Sequence, residues 1–230
     1  MESSLIIRQS LTYVVTIALM IYVARQVRKP DRLAGRLFAR LMNSSHSTLT
    51  DWGLKHVAVE KQFTILDVGC GGGRTIQKLA ALAPEGKVYG VDYASGSVAT
   101  ARATNSLLIQ SGRVDIKQAS VSQLPYADDQ FDLVTAVETQ YYWPDLVNDM
   151  KEILRVLKPG GTLLVIAESY KHGKHDRWQG PAMRLLGSTP LSIEDHRQLF
   201  SKSGYGEVQV FEEPKKGWFC GTARKPSHAA

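Results

Sequence analysis

Cysteine is scarce: Cys70 and Cys220 are the only two in 230 residues, and they lie far apart. They form no C-x-x-C pair and no metal-ligand spacing, which excludes a disulfide framework and points to two reduced thiols in a cytosolic setting. Low-complexity bias is missing too. With 43% hydrophobic and 22% charged residues the composition excludes a disordered chain. There is no internal repeat and no sign of a second globular domain, and the length suits one sizeable core. Most of the chain also lacks an excess of either charge. Residues 1–42 hold seven basic and two acidic side chains, so nearly all of the net +6 sits there, while the other 188 residues carry 21 basic and 20 acidic groups. The domain as a whole is not basic, which leaves room for at most a local phosphate-tracking surface, and no nucleic-acid partner is expected.

An uncharged run long enough to cross a membrane unaided is absent as well. Leu11–Ala24 (LTYVVTIALMIYVA) is uncharged, but its fourteen residues rise only about 21 Å as a helix, against a hydrocarbon core of roughly 30 Å. Extension back to Leu5 gives twenty residues and obliges Arg8 to snorkel. Arg25, Arg28, Lys29 and Arg32 follow directly. They sit on the wrong side for a cleaved signal peptide, and no A-x-A site follows. By the positive-inside rule they put the rest of the chain on the cytoplasmic face of a membrane. Residues 1–30 are therefore expected to be a membrane anchor or interfacial segment, with a helix packed on the domain as the competing reading. Residues 31–53 form a lead-in. Within it Arg32, Arg36 and Arg40 share one helical face, and Leu33, Leu37 and Leu41 share another. Asn43, His46 and Trp52 are candidates for a lid.

From residue 54 to 230, short apolar runs alternate with helical periodicity, the pattern of parallel strands joined by crossover helices. Strands are predicted at Thr64–Val68, Lys87–Asp92, Val114–Gln118, Phe131–Val137 and Thr162–Ala167, with helices near Arg74–Ala83, Gly96–Gln110 and Pro144–Leu157. Ser192 with Asp195 opens a further helix as a capping box. Glu207–Glu212 and Gly217–Arg224 close the chain as an antiparallel hairpin. The fold class is α/β: a Rossmann-like, doubly wound, mostly parallel sheet.

The chemistry concentrates in Ile65-Leu66-Asp67-Val68-Gly69-Cys70-Gly71-Gly72-Gly73-Arg74, a buried strand running into a glycine-dense turn that opens a helix. Glycine lets backbone approach a ligand closely and leaves helix N-terminal amides free. A dinucleotide-binding G-x-G-x-x-G would need glycine where Arg74 stands. Asp67 repels a pyrophosphate but suits a cationic amino-acid head. Asp92, 25 positions on, ends the second strand, where an acid can accept ribose hydroxyls. Gln118-Ala119-Ser120-Val121 follows the third strand, and Glu138-Thr139-Gln140-Tyr141-Tyr142-Trp143 follows the fourth.

With LPYADDQFDLV and ILRVLKPGGTLLV in the same order, these residues resemble the class I S-adenosylmethionine (SAM)-dependent methyltransferases, in particular their small-molecule branch with a seven-stranded sheet. The resemblance implies SAM as cofactor and a small-molecule acceptor, with an apolar or lipid-like one suiting an anchored enzyme. It implies that Asp67 and the turn of Gly69, Cys70, Gly71 and Gly73 hold the methionine portion. Asp92 then binds the ribose, Tyr93 lies beside the adenine, and Ser120 and Val121 meet it from the other side. Ser120 departs from the acid of many relatives. Glu138, at the end of the fourth strand, is placed both near the cofactor and as a candidate general base, with Tyr141 and His172 as further catalytic candidates. Glu168 and His175 are alternatives for the base, and Tyr141, Tyr142, Trp143 and Trp178 for an aromatic wall. His172, His175 and Asp176 make only a thin metal constellation, and no metal is expected. A non-catalytic SAM-binding protein and an NAD-dependent oxidoreductase are the competing functions, the latter opposed by Arg74 and the Leu-Lys-Pro-Gly-Gly turn.

Overall fold

Apolar runs bounded by turn residues form strands covered on both faces, because every second side chain points to the opposite layer. The computed structural model describes residues 47–168, 170–171 and 187–227, and these runs build a seven-stranded sheet. β1 (Thr64–Val68), β2 (Lys87–Asp92), β3 (Val114–Gln118), β4 (Phe131–Val137) and β5 (Leu157–Ala167) pair in parallel. β6 (Gly206–Glu213) and β7 (Trp218–Arg224) add an antiparallel edge. The order is β3-β2-β1-β4-β5-β7-β6. It reverses at the β1–β4 pair, and open sheets of this kind bind ligands outside the strands' carboxyl ends at such a switch point.

Successive residues feed two cores. Leu66, Val134, Met150, Ile153 and Phe200 pack on one face of the sheet, and Ile65, Leu133, Ile76, Leu79 and Ile166 on the other. All ten are fully buried, each contributing about 1.5–3 kcal/mol relative to exposure. The helices are α1 (Ser47–Gly53), α2 (Arg74–Leu82), α3 (Ser95–Thr104), α4 (Ser106–Gln110), α5 (Leu146–Val156) and α6 (Ile193–Lys202). The predicted capping box opens α6, with Ser192 and Asp195 each accepting the other's backbone N–H. The far end of α2 is held by Arg113, whose guanidinium donates to the carbonyls of Ala80, Ala83 and Gly86 at 3.1, 2.6 and 2.7 Å. A cation there meets both the unpaired carbonyls and the negative end of the helix dipole.

Two elements differ from expectation. The single helix predicted over Gly96–Gln110 divides at Asn105, whose amide donates to Gly73 O and Ala101 O, both at 2.9 Å. β5 begins at Leu157 rather than Thr162, because Lys158-Pro159-Gly160-Gly161 bulges from the β4 ladder and bonds Lys225 instead. The predicted anchor Leu11–Ala24 and the stretch Asp31–Met42 lie outside the described residues. Among the described residues no helix is long and apolar enough to cross a membrane.

Candidate active site

The carboxyl ends of β1, β2 and β4 open into a cavity of about 340 Å³, walled by the glycine turn, α2, α1 and the segment after β4. The turn reverses direction through Gly69, Gly71 and Gly73, all at positive φ (71°, 51° and 82°). Gly69 N and Cys70 N both donate to Val91 O, at 2.8 and 3.0 Å, which ties the turn to β2. A side chain on Gly71 would meet nothing within 4 Å, so the turn presents bare backbone to open space there.

Two buried carboxylates face this space. Asp67 Oδ1 accepts the Thr135 hydroxyl at 2.6 Å. Burial raises its pKa from the ordinary carboxylate range to about 7, the Asp92 charge adds to the rise, and the Thr135 hydrogen bond opposes it. Asp92 accepts Gly71 N at 3.0 Å on one oxygen and Ala94 N at 2.8 Å on the other. Burial raises its pKa too, against these backbone bonds and the Ser97 hydroxyl. With the Ser97 hydroxyl bound as well, the carboxylate keeps one acceptor position for a ligand hydroxyl.

After β4 the chain passes through Glu138 at φ 56°, a left-handed conformation that a non-glycine residue adopts at a cost. The carboxylate of Glu138 accepts the Tyr141 hydroxyl at 2.7 Å on Oε2 and the Glu168 backbone N–H on Oε1. Burial first, and then the Glu138 charge, push the Tyr141 phenol far up, so it stays protonated as the donor.

Of the sequence-predicted residues, Asp67, Gly69, Cys70, Gly71, Asp92, Tyr93, Ser120, Val121 and Glu138 all line the cavity. The Cys70 thiol is held neutral by burial and by the two nearby aspartates. Gly73 and Tyr141 are not on the wall. Gly73 serves helix packing: a Cβ there would come within 2.5 Å of Asn105 Nδ2 and 2.8 Å of Ala101 Cα. Tyr141 is buried behind Glu138, and Tyr142, Trp143 and Pro144 supply the apolar wall. Trp52 packs on Trp218 and His56 rather than over the cavity. His172, His175, Asp176, Trp178, Asn43 and His46 lie outside the described residues. Among the described residues no three His, Cys, Asp or Glu side chains form a metal-binding group.

Ser47 and Thr50 of α1 and Lys78 of α2 also line the cavity and escape the sequence reading. For Lys78 the available signal is spacing: it falls three and four positions after Thr75 and Arg74, on one helical face. The burial gradient sorts the charges, with Asp67 and Asp92 only 2% and 7% exposed while Arg74 is exposed.

Comparison with known proteins finds methyltransferases. Residues 66–165 match the family model described as a methyltransferase domain. An O-methyltransferase from Pyrenophora dematioidea is 27% identical over 157 residues, 64% of this chain and 56% of that protein. The 2-methyl-6-phytyl-1,4-hydroquinone methyltransferase of Synechocystis sp. is 32% identical over 157 residues, 64% of this chain and 48% of that protein. The chain thus spans about half the length of these curated relatives. Among solved structures, phosphoethanolamine N-methyltransferase 2 of Haemonchus contortus, in complex with S-adenosyl-L-methionine, shares the fold with a TM-score of 0.73 at 17% identity, covering 88% of this chain and 59% of that one. The stretch that resembles methyltransferase domains, residues 66–165, holds the glycine turn, both strand-tip aspartates and the strands β1 to β4 of the β3-β2-β1-β4-β5-β7-β6 sheet.

Proposed function

We propose that the protein methylates a small, predominantly apolar acceptor with SAM as the methyl donor. The observation that carries this reading is the pair of buried carboxylates, Asp67 and Asp92, on either side of a bare glycine turn in one cavity. Their chemistry fits the cofactor. A buried carboxylate held above its ordinary range takes its charge when a cation arrives, which suits Asp67 to an ammonium. Asp92, with both oxygens already ordered by backbone N–H groups, suits a ribose hydroxyl. Gly71 offers close backbone approach, and Tyr93, Ser120 and Val121 form the far wall for a flat base.

Bound SAM supplies a methyl group on a sulfonium, open to in-line displacement, so alignment and exclusion of water contribute most of the acceleration. Tyr142, Trp143 and Pro144 then present flat apolar surface to an acceptor. Glu138, fixed by two donors, is the described group on the wall best placed to take a proton from a protic acceptor. The relative that acts on a phytyl-bearing hydroquinone supports an apolar acceptor. The same reading seats the domain at the cytoplasmic face of a membrane through Leu11–Ala24. If removal of residues 1–30 leaves the protein wholly in the membrane fraction, that anchor is wrong.

The test is calorimetric titration with SAM, S-adenosylhomocysteine and NAD, beside an Asp92→Ala variant, followed by an acceptor screen for S-adenosylhomocysteine release. Binding of the first two, lost in the variant and absent for NAD, supports the reading. A folded protein that binds neither refutes it. Binding without product on any apolar quinol, sterol or phenol would favour a non-catalytic SAM-binding protein.

A further inference from the structure

The geometry points to Lys78 as the residue that selects a cofactor with an intact amino-acid head, by holding its carboxylate at the α1 edge of the cavity. This rests on the SAM reading above and goes beyond it, since the glycine turn and the two aspartates recognise only the cationic and nucleoside parts.

Lys78 lines the cavity, and its side chain is 19% exposed. Its ammonium donates to Ser47 O at 3.0 Å and pairs with Asp51 of α1. An ammonium has three protons, and its partners among the described residues use two, which leaves a donor on a side chain that lines the ligand space. Thr75 and Arg74, one turn earlier on the same helical face, line the same cavity, as do Ser47 and Thr50 of α1, the first of which accepts from Lys78. The first turn of α2, a nine-residue helix, adds the positive end of its dipole to the cavity. The same cavity is lined by the carboxylates of Asp67 and Asp92, at the tips of β1 and β2. The cavity is therefore polarised, negative at the strand tips and positive where α2 meets α1. A zwitterionic head has one orientation in such a field: ammonium toward Asp67, carboxylate toward Lys78. Asp51 lies outside the cavity wall with a side chain 57% exposed. It holds the lysine in place before the ligand arrives and then competes with the ligand carboxylate for it.

The test uses the full chain and two ligands measured by calorimetry: S-adenosylhomocysteine, and its decarboxylated analogue S-adenosyl-3-thiopropylamine, which keeps the ammonium. Lys78→Met is expected to weaken S-adenosylhomocysteine roughly ten- to a hundredfold and to leave the decarboxylated analogue unchanged. Lys78→Arg, which keeps the charge, retains most of the affinity. Asp51→Asn leaves S-adenosylhomocysteine binding intact or tightens it. The assignment is overturned if Lys78→Met weakens both ligands equally or neither. It is also overturned if Asp51→Asn weakens binding as Lys78→Met does, since Lys78 would then only brace α1. Failure of the folded wild type to bind either ligand removes the SAM reading and this assignment together, whereas wild-type binding that ignores Lys78 removes the assignment alone.

Discussion

Asp67 and Thr135 stand directly opposite each other in the β1–β4 pair, and the threonine hydroxyl donates to the aspartate at 2.6 Å. This bond tempers a carboxylate whose pKa burial has moved to about 7. A cationic ligand binds the ionised form, so its arrival expels the proton. Affinity for SAM or S-adenosylhomocysteine is expected to fall below pH 7, approaching about tenfold per pH unit for one linked proton. Thr135→Val removes the donor and moves the bend of this curve to higher pH. Calorimetry from pH 5.5 to 9 checks both, and a flat profile contradicts them.

Gly69 and Gly71 separate folding from binding. Both have positive φ, at which an added side chain costs about 1–2 kcal/mol. Gly71→Ala projects its methyl into the cavity, so it folds at that modest cost and loses S-adenosylhomocysteine affinity by roughly tenfold or more, as expected for a displaced close backbone contact. Gly69→Ala puts its methyl 2.2 Å from Thr139 Oγ1 and loses about 2–4 kcal/mol of stability in urea denaturation.

The Tyr141 hydroxyl acts on the cavity through Glu138, while its ring packs edge-on against Tyr142 of the wall at 4.7 Å. Tyr141→Phe deletes the 2.7 Å hydrogen bond without touching the wall. Turnover of a protic acceptor is expected to fall by about tenfold, the worth of one hydrogen bond to a charged group, with S-adenosylhomocysteine affinity unchanged. Parallel losses in both would contradict the positioning role.

The sheet was legible because its strands read as short runs rich in aliphatic and β-branched residues bounded by turn residues, and β1 to β4 begin and end where predicted. Asn105 was not legible as a break. A polar residue inside a helical pattern reads as surface, and its bond to Gly73 O depends on α2 lying alongside. The same holds at the site. Asp67 and Asp92 announce themselves at strand tips, but which of Tyr141 and Tyr142 reaches the cavity is settled by the 3-10 turn Gln140–Tyr142. α1, with the sequence STLTDWG, has too little periodicity to declare a helix, let alone a cavity wall.

His196 sits 2% exposed against Phe219, with Nδ1 on Ser192 O at 2.8 Å and no partner for Nε2 among the described residues. Burial lowers its pKa from 6.5 to about 4. Between those values the unfolded chain binds more protons, so this residue's contribution is full above pH 6.5 and is lost as pH falls toward 4, amounting to about 3 kcal/mol. Asp67 works in the opposite sense over the same range, because its raised pKa favours the fold at low pH. The expected result is therefore a difference: His196→Phe loses less stability than the wild type between pH 7 and 5 in chemical denaturation. Identical losses would show that the histidine does not titrate as described.

Burial slows alkylation of both thiols in the native protein and lets them time its opening. Cys70 sits in the ligand-facing turn and Cys220 in β7, far apart in the sheet, and burial keeps both thiols protonated. Modification of either must wait for its surroundings to part. The labelling rate of Cys70 then clocks the loosening of the turn, and that of Cys220 clocks the loosening of the antiparallel edge. One labelling experiment, with and without ligand, reads the two halves of the molecule as separate clocks.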